Sequence, residues 1–250
     1  MSRVAGPILP STPPSPPTSP PLSSVRPSPT SPRVPTKPSL SQLNYNLLSR
    51  TITILDWDDT LLPSTFLATL GYRLDSQGPF PEQLTTHLED LSNIVIQLLR
   101  DSLEIGKLMI ITNAEEGWVQ LSAYRFLPRV FTFLIRHNIK ITSARTEFEN
   151  EFKLPVLWKT AAFSREIALT FPKTKFKSSR GVNVISIGDS VCERLAATTF
   201  GECRGGCWVK TIKLMETCCP EAISKMLSLV RKSWQGLSTY KGSFDVNLTI

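Results

Sequence analysis

No apolar run in the 250-residue chain approaches the roughly 18 residues of a membrane-spanning helix, so the sequence gives no sign of a membrane segment. The first 50 residues contain no aspartate or glutamate, and the first 190 contain no cysteine. The acid-free stretch carries Arg3, Arg26, Arg33, Lys37 and Arg50, so five of the seven formal positive charges belong to it and two to the rest. A nucleic-acid groove needs basicity concentrated in the folded part, and no strong signal of that kind is present. All five cysteines follow residue 190, their number is odd, and no secretory signal precedes them. That usage predicts reduced thiols in an intracellular compartment, cytoplasm or nucleus. Cys203, Cys207, Cys218 and Cys219 lack the two separated CxxC pairs of a zinc knuckle, which argues against a zinc site.

What is abundant is proline, and it is unevenly placed. Residues 1–40 hold 13 of the 20 prolines, interleaved with serine and threonine, and cannot bury enough apolar surface to fold. Residues 1–42 are therefore expected to be a disordered Pro/Ser-rich tail, and residues 43–250 a single domain of ordinary size. The Ser-Pro and Thr-Pro steps at Thr12, Ser15, Ser19, Ser28 and Ser31 suit proline-directed kinases, and the PxxP spacings suit SH3- or WW-type modules. An unread spacer is the competing reading. Scattered arginines without acids also permit an organelle transit peptide, although the prolines defeat the amphipathic helix such peptides form.

Beyond the tail, strands alternate with helices. Apolar runs predict strands at Thr51 to Leu55, Lys107 to Ile111, Ile139 to Thr142, Val182 to Ile187 and Trp208 to Leu214. Helical spacing predicts helices from Pro81 to about Asp101, from about Glu116 to His137 with a kink or break at Pro128, over 160–171, and from Pro220 to about Trp234. Residues 61–81, rich in glycine and proline, read as an irregular flap. This alternation predicts an α/β fold: three layers, with a five-stranded, mainly parallel sheet covered by helices on both faces. In such sheets ligands sit beyond the carboxyl ends of the strands, where Asp56, Thr112 and Asp189 fall.

The stretch from Thr51 to Thr60 organises the rest. An apolar strand ends abruptly in Asp56, Trp57, Asp58, Asp59 and Thr60, and extended geometry would put Asp56, Asp58 and Thr60 on one face. Alone, it reads equally as a strand entering an acidic turn or a helix cap. Asp189 alone reads as a cap for the helix that follows.

Four stretches in order support a sharper reading: Asp56, Trp57, Asp58, Asp59, Thr60; Thr112 after Leu108 to Ile111; Lys159 within Leu157, Trp158, Lys159, Thr160; and Gly188, Asp189, Ser190, Val191, Cys192, Glu193. In these the chain resembles the haloacid dehalogenase (HAD) superfamily of phosphohydrolases over residues 51–215, so the implied fold is the Rossmann-like HAD fold. The resemblance implies a Mg²⁺-dependent phosphatase acting on phosphomonoesters through an aspartyl-phosphate. It assigns Asp56 as nucleophile and Asp58 as general acid and base, and it places Mg²⁺ on the Asp56 carboxylate, the Asp58 carbonyl and the Asp189 carboxylate. Thr112, the amides after it and Lys159 would bind the transferring phosphoryl group. Thr60 and Gly188 support the site, with Glu193 four residues beyond Asp189 to hold a metal-bound water or Lys159. Trp57 departs from the smaller residue common between the two aspartates and is expected to pack inward. Lys173, Lys175 and Lys177 rival Lys159 in type, but fall in a helix-to-strand loop that returns to the opposite edge of the sheet.

In this superfamily cap domains select the substrate. Residues 61–81 and 143–158 leave room for a flap but no large cap, so the chain resembles the capless members, whose open sites admit bulky substrates such as protein phosphoresidues, nucleic-acid ends or another subunit's product; the substrate expected here is phosphorylated, small molecule or macromolecular. Strand polarity puts Tyr72 and Arg73, Asn113 to Trp118, and Arg145 to Phe152 near the mouth, with Asn113 and Arg145 as substrate contacts. A phosphotransferase sharing the same intermediate is open. So is a scaffold of weak or absent catalysis, recruited through the proline-rich tail.

Overall fold

The computed structural model describes residues 49–172, 181–204 and 206–250. The tail, residues 43–48 of the expected domain, and the basic loop with Lys173, Lys175 and Lys177 lie outside the described residues.

The chain alternates β1 (Thr51–Leu55), α1 (Ser64–Thr69), α2 (Glu82–Ile105), β2 (Lys107–Thr112), α3 (Trp118–Phe126), α4 (Pro128–Arg136), β3 (Lys140–Ser143), α5 (Ala144–Phe148), α6 (Pro155–Thr170), β4 (Asn183–Gly188), α7 (Val191–Arg204), β5 (Trp208–Lys213), α8 (Pro220–Lys232), α9 (Trp234–Thr239) and β6 (Phe244–Asn247). The strands form one sheet in the order β3-β2-β1-β4-β5-β6, with every neighbouring pair parallel. Among the described residues it is an α/β, Rossmann-like fold with six strands rather than the expected five. The sixth, Phe244–Asn247, lies largely exposed at the edge, so it lacks the apolar run that marks the inner strands.

Side chains alternate between the faces of each strand, and two apolar clusters result. Ile52, Ile54, Met109, Ile111 and Val184 pack with Phe163 and Ile167 of α6 and with Ala196 and Phe200 of α7. Leu55, Ile110, Ile185, Ile187 and Ile212 pack with α2, α3, α4 and α8, through residues such as Leu91, Val119, Val130 and Leu227. Helices therefore cover both faces.

Two further differences have local causes, and the break expected at Pro128 is present. Residues 61–81 are not wholly irregular, because α1 forms within them. Of the kink or break expected at Pro128 the structure has the break: Leu127 leaves helical geometry, and proline opens α4, where its missing N–H costs nothing. Helix α6 starts at Pro155, so Lys159 lies within its second turn.

The chain runs from β1 outward to β2 and β3, returns to β4 on the other side of β1, and continues to β5 and β6. The order reverses between β1 and β4. A crevice forms at the carboxyl ends there, because the connections from the two central strands depart in opposite directions.

Candidate functional site

Asp56 is the first residue past β1, and its N–H donates to the Ile187 carbonyl at 3.0 Å, extending the β1–β4 ladder by one step. Asp189 is the first residue past β4. Two parallel neighbours thus end in carboxylates side by side.

After Asp56 the chain turns instead of continuing as a strand, and Asp59 adopts a left-handed backbone (φ 52°). The turn separates the acids. The Asp58 carboxylate accepts the Trp118 indole N–H at 2.8 Å and bonds the Ser64 side chain. Asp59 accepts the backbone N–H (3.0 Å) and hydroxyl (2.5 Å) of Thr65, which ties down α1. Thr60 donates to Asp189 Oδ1 at 3.2 Å. Thr60 thus reaches the neighbouring strand's end through the turn, not through strand alternation. Trp57 is fully buried and donates its indole N–H to Ser122 Oγ at 2.9 Å.

Lys159 enters from α6. Its ammonium donates to Asp56 Oδ1 at 2.7 Å and to Glu193 Oε1, with all three side chains buried. The other oxygen of Glu193 accepts the Ser190 N–H (3.0 Å) and hydroxyl (2.7 Å), so α7 fixes Glu193 and Glu193 fixes Lys159. Gly188 makes this possible, because a Cβ there would lie 2.3 Å from Glu193 Cγ.

The electrostatics follow from burial. Desolvation pushes the Asp56 carboxyl well up, Lys159 pulls it down, and Glu193 and Asp189 push it up again. Burial and the charge on Glu193 raise Asp189 to about 6. Burial also raises Asp58, only partly offset by the indole and Ser64 bonds. For Lys159 burial opposes the charge, but Asp56 and Glu193 outweigh it and drive its pKa upward; for Glu193 burial is likewise outweighed by Lys159.

Carboxylate oxygens of Asp56, Asp189 and Glu193 lie within 4.8 Å of one another, a spacing at which they could hold one metal ion. The donor set is all oxygen, without sulfur or imidazole, which suits a hard cation. Three carboxylates face one ammonium, and that ammonium is spent on Asp56 and Glu193. With both Glu193 oxygens engaged by Lys159 and Ser190, Asp56 and Asp189 are the acids best placed to take a cation.

Thr112 closes β2, next to β1, and its hydroxyl accepts the Ala114 N–H at 3.0 Å. Asn113 donates its side-chain amide to the Pro155 carbonyl at 3.2 Å, tying the β2 loop to the start of the helix that carries Lys159. Arg145 sits at the surface, where Glu149 (2.9 Å) and Glu115 (3.4 Å) engage its guanidinium. The structure thus brings together Asp56, Lys159, Asp189, Glu193, Thr60 and Gly188, and holds Asp58 one turn away on Trp118 and Ser64. Ser64 and the Trp118–Asp58 bond escape sequence reasoning. Ser64 follows proline inside a glycine- and proline-rich stretch, and nothing in the spacing of Trp118 links it to a residue 60 positions earlier.

Residues 61–81 hold α1, of six residues, and residues 143–158 hold α5, of five, and the start of α6. Among the described residues, no helix is long and apolar enough to cross a membrane. Comparison with family models, with curated proteins and with solved structures gave no match.

Proposed function

We propose that the chain is a phosphomonoester hydrolase of the haloacid dehalogenase type, working through an aspartyl-phosphate. The observation that carries this reading is the buried Lys159 ammonium bridging Asp56 and Glu193 beside Asp189, with three sequence-distant segments meeting at the switch point of a parallel sheet. A helix cap or an acidic turn requires no such convergence.

In the first step an Asp56 oxygen forms a bond to phosphorus as the bond from phosphorus to the leaving oxygen breaks, and protonated Asp58 gives its proton to that oxygen. In the second, Asp58 takes a proton from water, the water oxygen bonds phosphorus, and the bond from phosphorus to Asp56 breaks to release phosphate. Burial favours the protonated form of Asp58 that the first step needs, and the Trp118 indole N–H favours the ionised form that the second needs. Lys159 holds Asp56 in place and offers positive charge to the phosphoryl oxygens. The Thr112 hydroxyl, accepting from Ala114, keeps its proton for a phosphoryl oxygen.

Mg²⁺ is the cation that the reading requires, held by the Asp56 and Asp189 carboxylates and, by resemblance, the Asp58 carbonyl. Bound there, it would supply charge that favours the ionised form of Asp56 and offsets that of the phosphoryl oxygens.

The test is hydrolysis of p-nitrophenyl phosphate with Mg²⁺ by the wild type, by Asp56→Asn and by Asp189→Asn. The reading expects a fall of at least about 1,000-fold for Asp56→Asn and strong loss for Asp189→Asn, which excess Mg²⁺ partly restores. Equal rates in the wild type and Asp56→Asn would remove the nucleophile from the account.

A further inference from the structure

A cavity of about 460 Å³ opens between the flap and α3. Its wall includes Ser64 and Trp118, the two residues whose side chains bond the Asp58 carboxylate. The remainder is mainly apolar and aromatic, including Leu67, Tyr72, Leu74 and Phe126, with Arg73 and Asp75 as its charged residues. The volume falls in the range of small-molecule sites.

The wall is braced. Arg125 donates to the carbonyls of Ser76 (2.9 Å) and Gly78 (3.3 Å), and its guanidinium lies 4.4 Å from the Phe80 ring centroid. Phe80 stacks on Phe126 at 5.8 Å and meets Tyr72 edge-on at 5.1 Å. A flap held by two carbonyl bonds and three rings presents a formed surface, so a ligand spends little on ordering it.

We propose that this cavity receives the leaving group, and that the preferred substrates are phosphomonoesters whose leaving group carries a flat aromatic ring; this rests on the hydrolase reading above. Two observations point there. Asp58 is the group that would protonate the leaving oxygen, so whatever that oxygen is attached to extends from Asp58, and the cavity is bounded by Asp58's own partners. The wall chemistry then selects among leaving groups. A small polar alcohol would leave Tyr72, Leu74 and Trp118 facing water, whereas an aromatic ring removes that surface from water and meets aromatic partners.

Benzyl phosphate and ethyl phosphate test this, since both release primary alcohols and differ mainly in the ring. The wild type with Mg²⁺ is expected to favour benzyl phosphate by about tenfold or more in kcat/KM. Ala68→Phe, at an exposed position of α1 in the cavity wall, should fill the space and bring that ratio to within about threefold. Leu121→Phe adds bulk on the exposed side of α3, outside the cavity, and should leave the ratio where it is. Calorimetric binding of benzylphosphonate and ethylphosphonate, which are not hydrolysed, should show the same preference and the same loss in Ala68→Phe. Turnover of both esters at equal kcat/KM, or a preference indifferent to Ala68→Phe, overturns the cavity assignment and leaves the hydrolase reading standing. Absence of turnover, with a phosphonate preference that Ala68→Phe abolishes, overturns the hydrolase reading and the leaving-group role with it, and leaves the cavity as a binding site for an aromatic ring. Absence of both overturns both.

Discussion

Lys159 stands between two buried carboxylates, and its removal tests what holds the centre together. Lys159→Met would leave Asp56 and Glu193 buried without a cation, and breaking a buried pair in this way costs about 3–5 kcal/mol. The sign of the pH dependence follows. Without the ammonium both acids would have folded-state pKa values above their unfolded ones, so the folded variant binds more protons than the unfolded chain and loses stability as pH rises. Thermal melts should show a deficit larger at pH 8 than at pH 5, and a deficit equal at both would contradict the ion-pair account. Gly188 acts at one remove. In Gly188→Ala the new methyl would occupy the space of Glu193 Cγ, and Glu193, held by Lys159 and Ser190, would have to yield. On the hydrolase reading, the displaced ammonium is expected to lower kcat/KM on p-nitrophenyl phosphate by about 10–100-fold, with the circular dichroism spectrum retained.

At the scale of elements, α3 links β1 to the proposed acid. Its Ser122 accepts the Trp57 indole N–H, the Ser122 hydroxyl donates to the Trp118 carbonyl at 2.7 Å, and Trp118 reaches Asp58. Trp57→Phe removes the first bond and leaves a small void, for an expected loss of about 1–3 kcal/mol in chemical denaturation. A loss below about 0.5 kcal/mol would mean that the link carries no load. This coupling was illegible in the sequence, whereas the elements it joins were largely legible. Helix α2 announced itself through leucines and isoleucines at helical spacing, and β2 through an unbroken apolar run. Helix α1 did not, because six residues flanked by proline and glycine carry too few turns to show a period, and the cap that secures it comes from Asp59. Strand β6 stayed hidden for a related reason. An exposed edge strand is selected by the hydrogen bonds its neighbour offers, here Lys210 to Lys213 of β5, more than by its own apolar content.

For the whole molecule, the legible part of the site was the set of residues at strand ends, because a parallel sheet delivers every carboxyl end to one edge. The illegible part was three-dimensional neighbourhood: Ser64 against Asp58, or the groove between α2 and α4 that gathers Arg100, Arg129 and Arg136 from a chain whose folded part shows little net charge. Lys210 is another such case. It occupies the middle of β5 with no exposed surface, its ammonium 3.4 Å from the Ser238 carbonyl, and among the described residues no carboxylate lies within ion-pair distance. Burial lowers its pKa from 10.5 to about 8. The unfolded chain therefore binds more protons than the folded one between those values, so stability rises with pH across that window and the penalty is complete below about pH 8. Lys210→Met removes the buried charge while keeping an unbranched side chain of similar length. It should stabilise the protein by about 1–3 kcal/mol at pH 7 and by much less at pH 10. Urea unfolding of both proteins at the two pH values measures the difference, and a wild type whose stability does not climb between pH 8 and 10 would show that the lysine is solvated after all.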